Sequence, residues 1–173
     1  MWLDLIQDYE ADHFDSKGHL WGYYMVDAVT RLQPRFRLAY VLGANTISLL
    51  HDTEGARLLF ERGLQIYPND WVIAYRAGYH YLYEVKDCKR AAEIFDVAVK
   101  NGAPMWVDGL VSRLYSAEGQ FDIAKQVVLQ GLKTYKDNPR MVEYLRKRLE
   151  EIEKQDPKIF TETVLKLCVK KAK

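Results

Sequence analysis

The chain has 173 residues, a length that fits one domain with a sizeable buried core. Hydrophobic residues make up 49% of it and aromatic residues 13%, which excludes a disordered protein. The 25 basic and 24 acidic residues leave a net charge of +1, so the composition predicts no nucleic-acid partner. No apolar run reaches the roughly 18 residues of a membrane-spanning helix, and we expect no direct membrane insertion.

The N-terminal part predicts a pair of helices. Apolar residues from Trp2 to Phe14 follow helical spacing, residues 15–18 interrupt the pattern, and a second helix is predicted over residues 19–33, before Pro34. Acidic residues stand near the start, where a secretory leader has cations, so the expected compartment is the cytoplasm. A leader or anchor on a longer native chain would instead place the protein in the periplasm or tether it to a membrane.

Three further pairs of helices follow. The second pair is predicted over residues 35–50 and 53–66, with Asp52 or Thr53 as the N-cap of its second helix. In the third pair, the segment Asn69-Asp70-Trp71 caps a helix that ends near Val85, and Asp87 caps the next one. The fourth pair is predicted over residues 105–118 and 121–135.

The second and third pairs share a set of marks that recurs with a constant offset along the chain. The marks of the third pair are Tyr75, Gly78, Asp87, Ala91, Phe95 and Ala98. Those of the second pair are Tyr40, Gly43, Asp52, Ala56, Phe60 and Gly63. Small residues let two helices cross closely, and large apolar residues fill the space beside the crossing, so the marks predict repeated helical hairpins.

This pattern resembles the tetratricopeptide repeat, a helix-turn-helix unit of roughly 34 residues. A further copy begins at Trp106, with matching residues at Tyr115, Gly119, Phe121, Ala124 and Gly131. The resemblance implies an all-α, right-handed α-solenoid of about four hairpins plus C-terminal capping helices. Residues 67–71 and 86–95 look most like bacterial members of the family.

One domain is expected over residues 1–173. Within it, residues 1–34 form a divergent N-terminal hairpin, residues 35–137 form three repeats, and residues 138–173 form the capping helices. Asn138 followed by Pro139 is a strong helix start, and Asp156 followed by Pro157 repeats that signal.

The resemblance also implies that the first helix of each hairpin lines a concave groove that binds a partner. It places six candidate binding residues there: Asn45, Arg76, His80, Tyr83, Trp106 and Arg113. The arginines and the histidine would meet carboxylates, and the tyrosine and tryptophan would hold an apolar side chain. Some family members clamp a peptide C-terminus with Lys and Asn, but Val41 stands at the position of the clamp Lys, so that specificity is not predicted.

The favoured function is a scaffold or adaptor that binds a segment of another protein in this groove. The alternative is a homo-oligomer in which Ile159 and Phe160 of the last helix dock into a neighbouring copy. No catalytic residue, cofactor or metal is predicted, because the four histidines have no metal-ligand spacing and no glycine-rich phosphate loop occurs. Cys88 and Cys168 are far apart in the sequence and give no indication of a disulfide framework.

Overall fold

The computed structural model describes residues 14–154. All regular secondary structure in this range is helical, which confirms the predicted all-α class for this part of the chain. Its α-helices are α1 Trp21–Leu32, α2 Ala44–Leu49, α3 Thr53–Ile66, α4 Trp71–His80, α5 Cys88–Lys100, α6 Trp106–Ala117, α7 Phe121–Thr134 and α8 Pro139–Lys154. A π-helical turn over Ala39–Gly43 leads into α2, and another over Tyr81–Val85 extends α4.

Each helix packs against the helix that follows it in the sequence. Contacts between next-but-one helices add to this pattern, because α1 also meets α3, α2 meets α4, and α6 meets α8. One cluster of buried apolar side chains extends from Tyr23 in α1 to Ile152 in α8. The described part of the chain therefore has a continuous core built mainly from contacts between neighbouring helices.

The turn inside each pair contains a residue with left-handed backbone geometry. These residues are His51, Lys86 and Gly119, with φ angles of 66°, 61° and 73°. Such a conformation ends a helix by directing the chain away from its axis, and glycine adopts it at the lowest cost. The three turns lie at nearly equal intervals along the chain, so the backbone repeats with almost the same period as the sequence marks.

The starts of four helices are fixed by the polar caps that the sequence predicts. The carboxylates of Asp52, Asp70 and Asp87 each accept a hydrogen bond from a backbone N–H in the first turn of the helix that follows. The side-chain oxygen of Asn138 accepts a bond from the Met141 backbone N–H at 3.2 Å. These bonds satisfy donors that have no partner inside the helix.

Asp52 also joins α1 to the second pair. Its carboxylate accepts a hydrogen bond from the Leu20 backbone N–H at 3.0 Å and lies 3.1 Å from Nδ1 of His19. Together with its cap bond from Gly55, these contacts surround a carboxylate that is almost completely buried. A buried carboxylate is tolerated when it is hydrogen-bonded in this way.

Aromatic rings pack directly against the glycines at the helix crossings. A Cβ atom placed on Gly78 would lie 2.9 Å from the ring of Phe95, and one on Gly63 would lie 3.1 Å from the ring of Tyr40. Phe95, Tyr40 and Phe60 are fully buried. The predicted arrangement, with small residues at a crossing and large rings beside it, is confirmed here.

Two predicted features lie outside the described residues. They are the first helix of the N-terminal pair and the final helix, which carries Ile159 and Phe160 and thus the self-docking alternative. Among the helices of residues 14–154, none is long and apolar enough to cross a membrane.

Replacement of Gly78 by Ala tests the close crossing of α4 and α5. In an exposed helix this change stabilises by about 1 kcal/mol because alanine has the better helix propensity. Here the added methyl group meets the buried ring of Phe95, so we expect a net loss of about 1–3 kcal/mol in the free energy of unfolding. Urea denaturation measures the difference.

The double variant Gly78→Ala with Phe95→Leu is the control for this prediction. The decrease in its free energy of unfolding should be smaller than the sum of the decreases in the two single variants, because leucine leaves room for the methyl group. Stabilisation by Gly78→Ala alone would show that the two helices can separate at little cost.

Candidate functional site

Five of the six predicted binding residues reach the surface. Trp106 and Tyr83 are 51% and 39% exposed, Arg113 is exposed, and Asn45 and Arg76 are half-buried. His80 is the exception, with only 2% of its surface exposed. The six residues come from α2, α4 with its π turn, and α6, which are the first helices of the three complete pairs.

His80 belongs to the core and has almost no surface that a partner could contact. Its Nε2 atom lies 3.1 Å from the carbonyl oxygen of Thr53, an acceptor, so Nε2 carries the proton and donates it. Its Nδ1 atom then accepts a hydrogen bond from the hydroxyl group of Ser48 at 2.7 Å. Burial lowers the pKa of His80, and the hydrogen bond with the Thr53 carbonyl opposes part of this decrease. His80 is therefore not placed to contact a partner carboxylate as predicted, and instead connects α4 to α2 through its hydrogen bond with Ser48.

Tyr79 occupies the exposed position that the sequence prediction gave to His80. It is 49% exposed and lies on one side of α4 and its π turn together with Val72, Arg76 and Tyr83. The signal for Tyr79 was present in the sequence, because it stands as far after Asn45 as it stands before Arg113. The core marks recur at a slightly longer interval, and counting by that interval from Asn45 leads to His80 instead of Tyr79.

The exposed positions of α4 recur on the other first helices and on α8. Equivalent positions are separated by a constant number of residues, equal to the separation of Asn45 and Tyr79. We call this set of residues the first-helix face. It comprises Leu38, Leu42, Asn45 and Leu49, then Val72, Arg76, Tyr79 and Tyr83, then Trp106, Leu110, Arg113 and Ala117, and finally Arg140, Tyr144, Lys147 and Glu151. All of them are exposed or half-buried. On α2, α4 and α6 most of the remaining side chains are buried, whereas α8 is exposed on more than one side.

Aromatic contacts connect the first-helix face across α4 and α6. The rings of Tyr79 and Tyr83 lie 4.3 Å apart between centroids, and Tyr75 meets Trp106 edge to face at 5.4 Å. Tyr75 is half-buried and also packs against Phe95, so it joins the exposed rings to the core. The result is an aromatic surface anchored to the core, of the kind that contributes binding hot spots.

Buried polar bonds hold the first helices side by side beneath this face. Ser48 and His80 connect α2 to α4, as described above. Arg148 of α8 donates hydrogen bonds to the hydroxyl oxygens of Ser112 and Ser116 in α6, at 3.1 and 3.0 Å, and to Glu151 at 3.0 Å. Burial lowers the pKa of Arg148, an effect opposed by Glu151. The distance between α2 and α4 and the distance between α6 and α8 are therefore fixed by specific bonds as well as by packing. The helices α4 and α6 meet through the rings of Tyr75 and Trp106.

The cations of the first-helix face differ from the arginines of the second helices. In α3 and α5, Arg57, Arg62 and Arg90 each contact a carboxylate, at 2.7, 2.6 and 3.2 Å respectively. Arg76 and Arg113 have no carboxylate within 4.0 Å among residues 14–154. Their guanidinium groups are available to a partner, since an arginine offers five donors in a planar fork.

A concavity lies between the second helices α5 and α7. Its volume is about 400 Å³, and Val99, Ile123 and Val127 line it together with polar side chains. Its charged residues, Asp96 and Lys100, form an ion pair with each other at 2.5 Å. This concavity therefore offers no unpaired charge, in contrast to the first-helix face.

The described residues contain no arrangement suited to metal binding or to cysteine catalysis. No group of three or more histidine, cysteine or carboxylate side chains in residues 14–154 could hold a metal ion. Cys88 is buried at the start of α5 and is disulfide-bonded, so it has no thiol to act as a nucleophile. Cysteine spacing did not predict this bond, because separation along the chain does not limit proximity in the fold. Cys168, the other cysteine, lies outside the described residues.

Comparison of the chain with family models, with curated proteins and with solved structures finds no match. Support for a function therefore comes from the chain's own residues. The features available are the regular recurrence of the first-helix face, its aromatic rings and its unpaired cations.

The role of His80 can be tested by the pH dependence of stability. Because the pKa of His80 is lowered in the folded state, the unfolded state takes up the proton first as the pH falls below the ordinary value of about 6.5. The contribution of neutral His80 is thus complete above that pH and decreases as the pH falls through the folded pKa. The free energy of unfolding, measured with urea at pH 7.5 and pH 5, should fall more for the wild type than for His80→Gln.

His51→Gln is the matched control, because His51 is an exposed histidine in the turn after α2. This variant keeps His80 and should keep most of the loss of stability between pH 7.5 and pH 5. Any remaining difference from the wild type measures the 3.8 Å ion pair between His51 and Glu84. An unchanged pH dependence in His80→Gln would mean that His80 is not held neutral by the fold.

Proposed function

We propose that the chain is a tetratricopeptide-like solenoid that acts as a scaffold or adaptor and binds a segment of another protein across its first helices. Two observations support the solenoid. The left-handed turns at His51, Lys86 and Gly119 recur at nearly equal intervals, and the signature alanines and phenylalanines of the second and third pairs are fully buried. In such an array each hairpin adds one strip of exposed side chains to a continuous surface.

The observation that carries the binding proposal is the combination of exposed rings and unpaired arginines on the first-helix face. Tyr79, Tyr83 and Trp106 present large apolar areas that lose little conformational freedom when they are covered. Arg76 and Arg113 stand on the same face and have no carboxylate partner among the described residues. Tyrosine, tryptophan and arginine are the residue types that dominate binding energy at protein interfaces.

In this proposal an apolar side chain of the partner packs on the rings, while its carboxylates accept hydrogen bonds from Arg76 and Arg113. Charge-assisted bonds of this kind fix the position of the segment. Ring contacts supply most of the buried apolar area. His80 takes no part in contact and instead holds α2 and α4 at their spacing.

The double variant Arg76→Glu with Arg113→Glu tests this function. Both side chains reach the surface, so the variant should fold, which circular dichroism and a thermal melt will verify. Reversing both charges repels partner carboxylates and should lower affinity by about tenfold or more, which corresponds to roughly 1.4 kcal/mol. Quantitative affinity capture from a lysate of the source organism, with the wild type and the variant in parallel, gives the readout.

A matched control reverses two cations elsewhere, in Lys89→Glu with Lys133→Glu. These exposed lysines lie on the second helices α5 and α7 and have no ion pair among the described residues, so the change in net charge is the same. A protein captured by the wild type and the control but lost from the arginine variant supports the proposal. Equal capture by all three forms would rule out binding through this face.

A further inference from the structure

The first-helix face changes in chemical character from one end to the other. The part contributed by α2 and its π turn is uncharged and aliphatic, with Leu38, Leu42 and Leu49 exposed, the last by 70%. The middle part, on α4, carries the tyrosine rings and one cation, Arg76. The part contributed by α6 and α8 carries three exposed cations, Arg113, Arg140 and Lys147, beside the exposed rings of Trp106 and Tyr144.

The three cations at the α6 and α8 end form no close ion pair within the described chain, although Glu143 and Glu150 lie within one helical turn of Lys147. Arg113, Arg140 and Lys147 have no carboxylate within 4.0 Å among residues 14–154. The carboxylate on that part of the face, Glu151, is bonded to the buried Arg148 at 3.0 Å. Burial lowers the pKa of Arg148, and the nearby charge of Arg113 lowers it further.

We propose that the partner segment is polarised along its length, with apolar residues on α2 and the tyrosines of α4 and with carboxylates on Arg113, Arg140 and Lys147. This inference rests on the proposed function and adds the chemistry and the orientation of the segment. It follows from complementarity. Apolar side chains contribute most to the binding free energy when they pack on the leucines, and carboxylates contribute most when they pair with the unpaired cations.

A nucleic acid fits this face less well than a protein segment does. Its phosphates are spaced evenly along the strand, so a strand long enough to reach α2 would place phosphates on Leu38, Leu42 and Leu49. The aromatic rings alone would suit stacked bases, but the aliphatic end would have no counterpart. A segment whose charge is confined to one end matches both parts of the face.

A second copy of this chain is also a poor occupant if it docks through its last segment. Residues 155–173 contain five lysines and two acidic residues, a net charge of +3. Such a segment would bring like charges to Arg113, Arg140 and Lys147. Charge complementarity therefore favours a separate acidic protein segment.

The face spans four neighbouring first helices, from α2 to α8. Packed helices lie about 8–10 Å apart, so three steps cover roughly 25–30 Å. An extended peptide crosses that distance with about 8–9 residues and a helical one with about 20 residues. A library of random peptides of about 20 residues therefore includes both forms.

The experiment selects such a library against the full chain. Enriched peptides should carry Asp and Glu at one end and Leu, Ile, Phe, Trp or Tyr at the other. Fluorescence anisotropy of a labelled enriched peptide, at about 50 and about 200 mM NaCl, then gives its affinity. A peptide of the same composition with the two kinds of residue interleaved should bind about tenfold more weakly.

Two double variants locate the ends of the peptide. Arg113→Glu with Lys147→Glu should weaken binding about tenfold at low salt and remove most of the salt dependence. Leu42→Ala with Leu49→Ala should weaken binding by a similar factor and leave the salt dependence unchanged. All of these side chains are exposed, and circular dichroism will confirm that the variants fold.

Several outcomes would overturn the inference. The selection could enrich basic or unpolarised peptides, or no peptide at all. The interleaved peptide could bind with the same affinity as the enriched one. A single-stranded oligonucleotide of matched length could bind more tightly than any peptide. The proposed function fails separately, because it depends on loss of the captured protein in the Arg76 and Arg113 variant. A captured protein that needs those arginines but carries no polarised acidic segment would refute only the inference made here.

Discussion

Aromatic rings pack onto glycine where the helices cross, and these contacts control how the helices are placed. Phe95 lies against Gly78, and Tyr40 lies against Gly63, at distances that leave no room for another side chain. Contacts this close fix how far apart two helices lie and also how each helix is rotated about its axis. The rotation of α4 turns His80 inward and the adjacent Tyr79 outward. The chemistry of the first-helix face is thus decided by contacts in the core.

Polar bonds beneath the face complete what apolar packing begins. The bond between Ser48 and His80 and the bonds from Arg148 to Ser112 and Ser116 each join one first helix to the next. A buried polar group has a low energy only when its partner is in the correct place, so these bonds favour one register between helices over others. No side-chain donor or acceptor buried within residues 14–154 lacks a partner. The same satisfied bonds remove His80 and Arg148 from direct contact with other molecules.

The two sides of the helix pairs differ in how they treat charge. On the second helices, Arg57, Arg62, Arg90 and Lys100 are each paired with a carboxylate, whereas Lys89 and Lys133 form no ion pair among the described residues. Across the first helices, cations stand beside exposed rings and leucines without such partners among the described residues. A surface that is neutralised internally has little to offer a charged ligand, whereas unpaired cations beside apolar groups give both affinity and orientation. This difference is the reason for proposing that a partner binds across the first helices.

The local structure could be predicted from residues that lie close together in the chain. The rotation of each helix and the partners of the buried polar groups depend instead on contacts between distant residues. Helix starts such as Asp52 and Asn138 could be predicted because a capping bond involves residues only a few positions apart. Tyr79 and His80 are adjacent, and helical spacing from Arg76 allows either to be exposed. Packing of α4 against α2, where the Ser48 hydroxyl donates to His80, places His80 inside. The two π turns also change the number of residues per turn, so a family register cannot be carried along these helices unaltered. Side-chain exposure there depends on contacts with distant residues, which a local pattern does not contain.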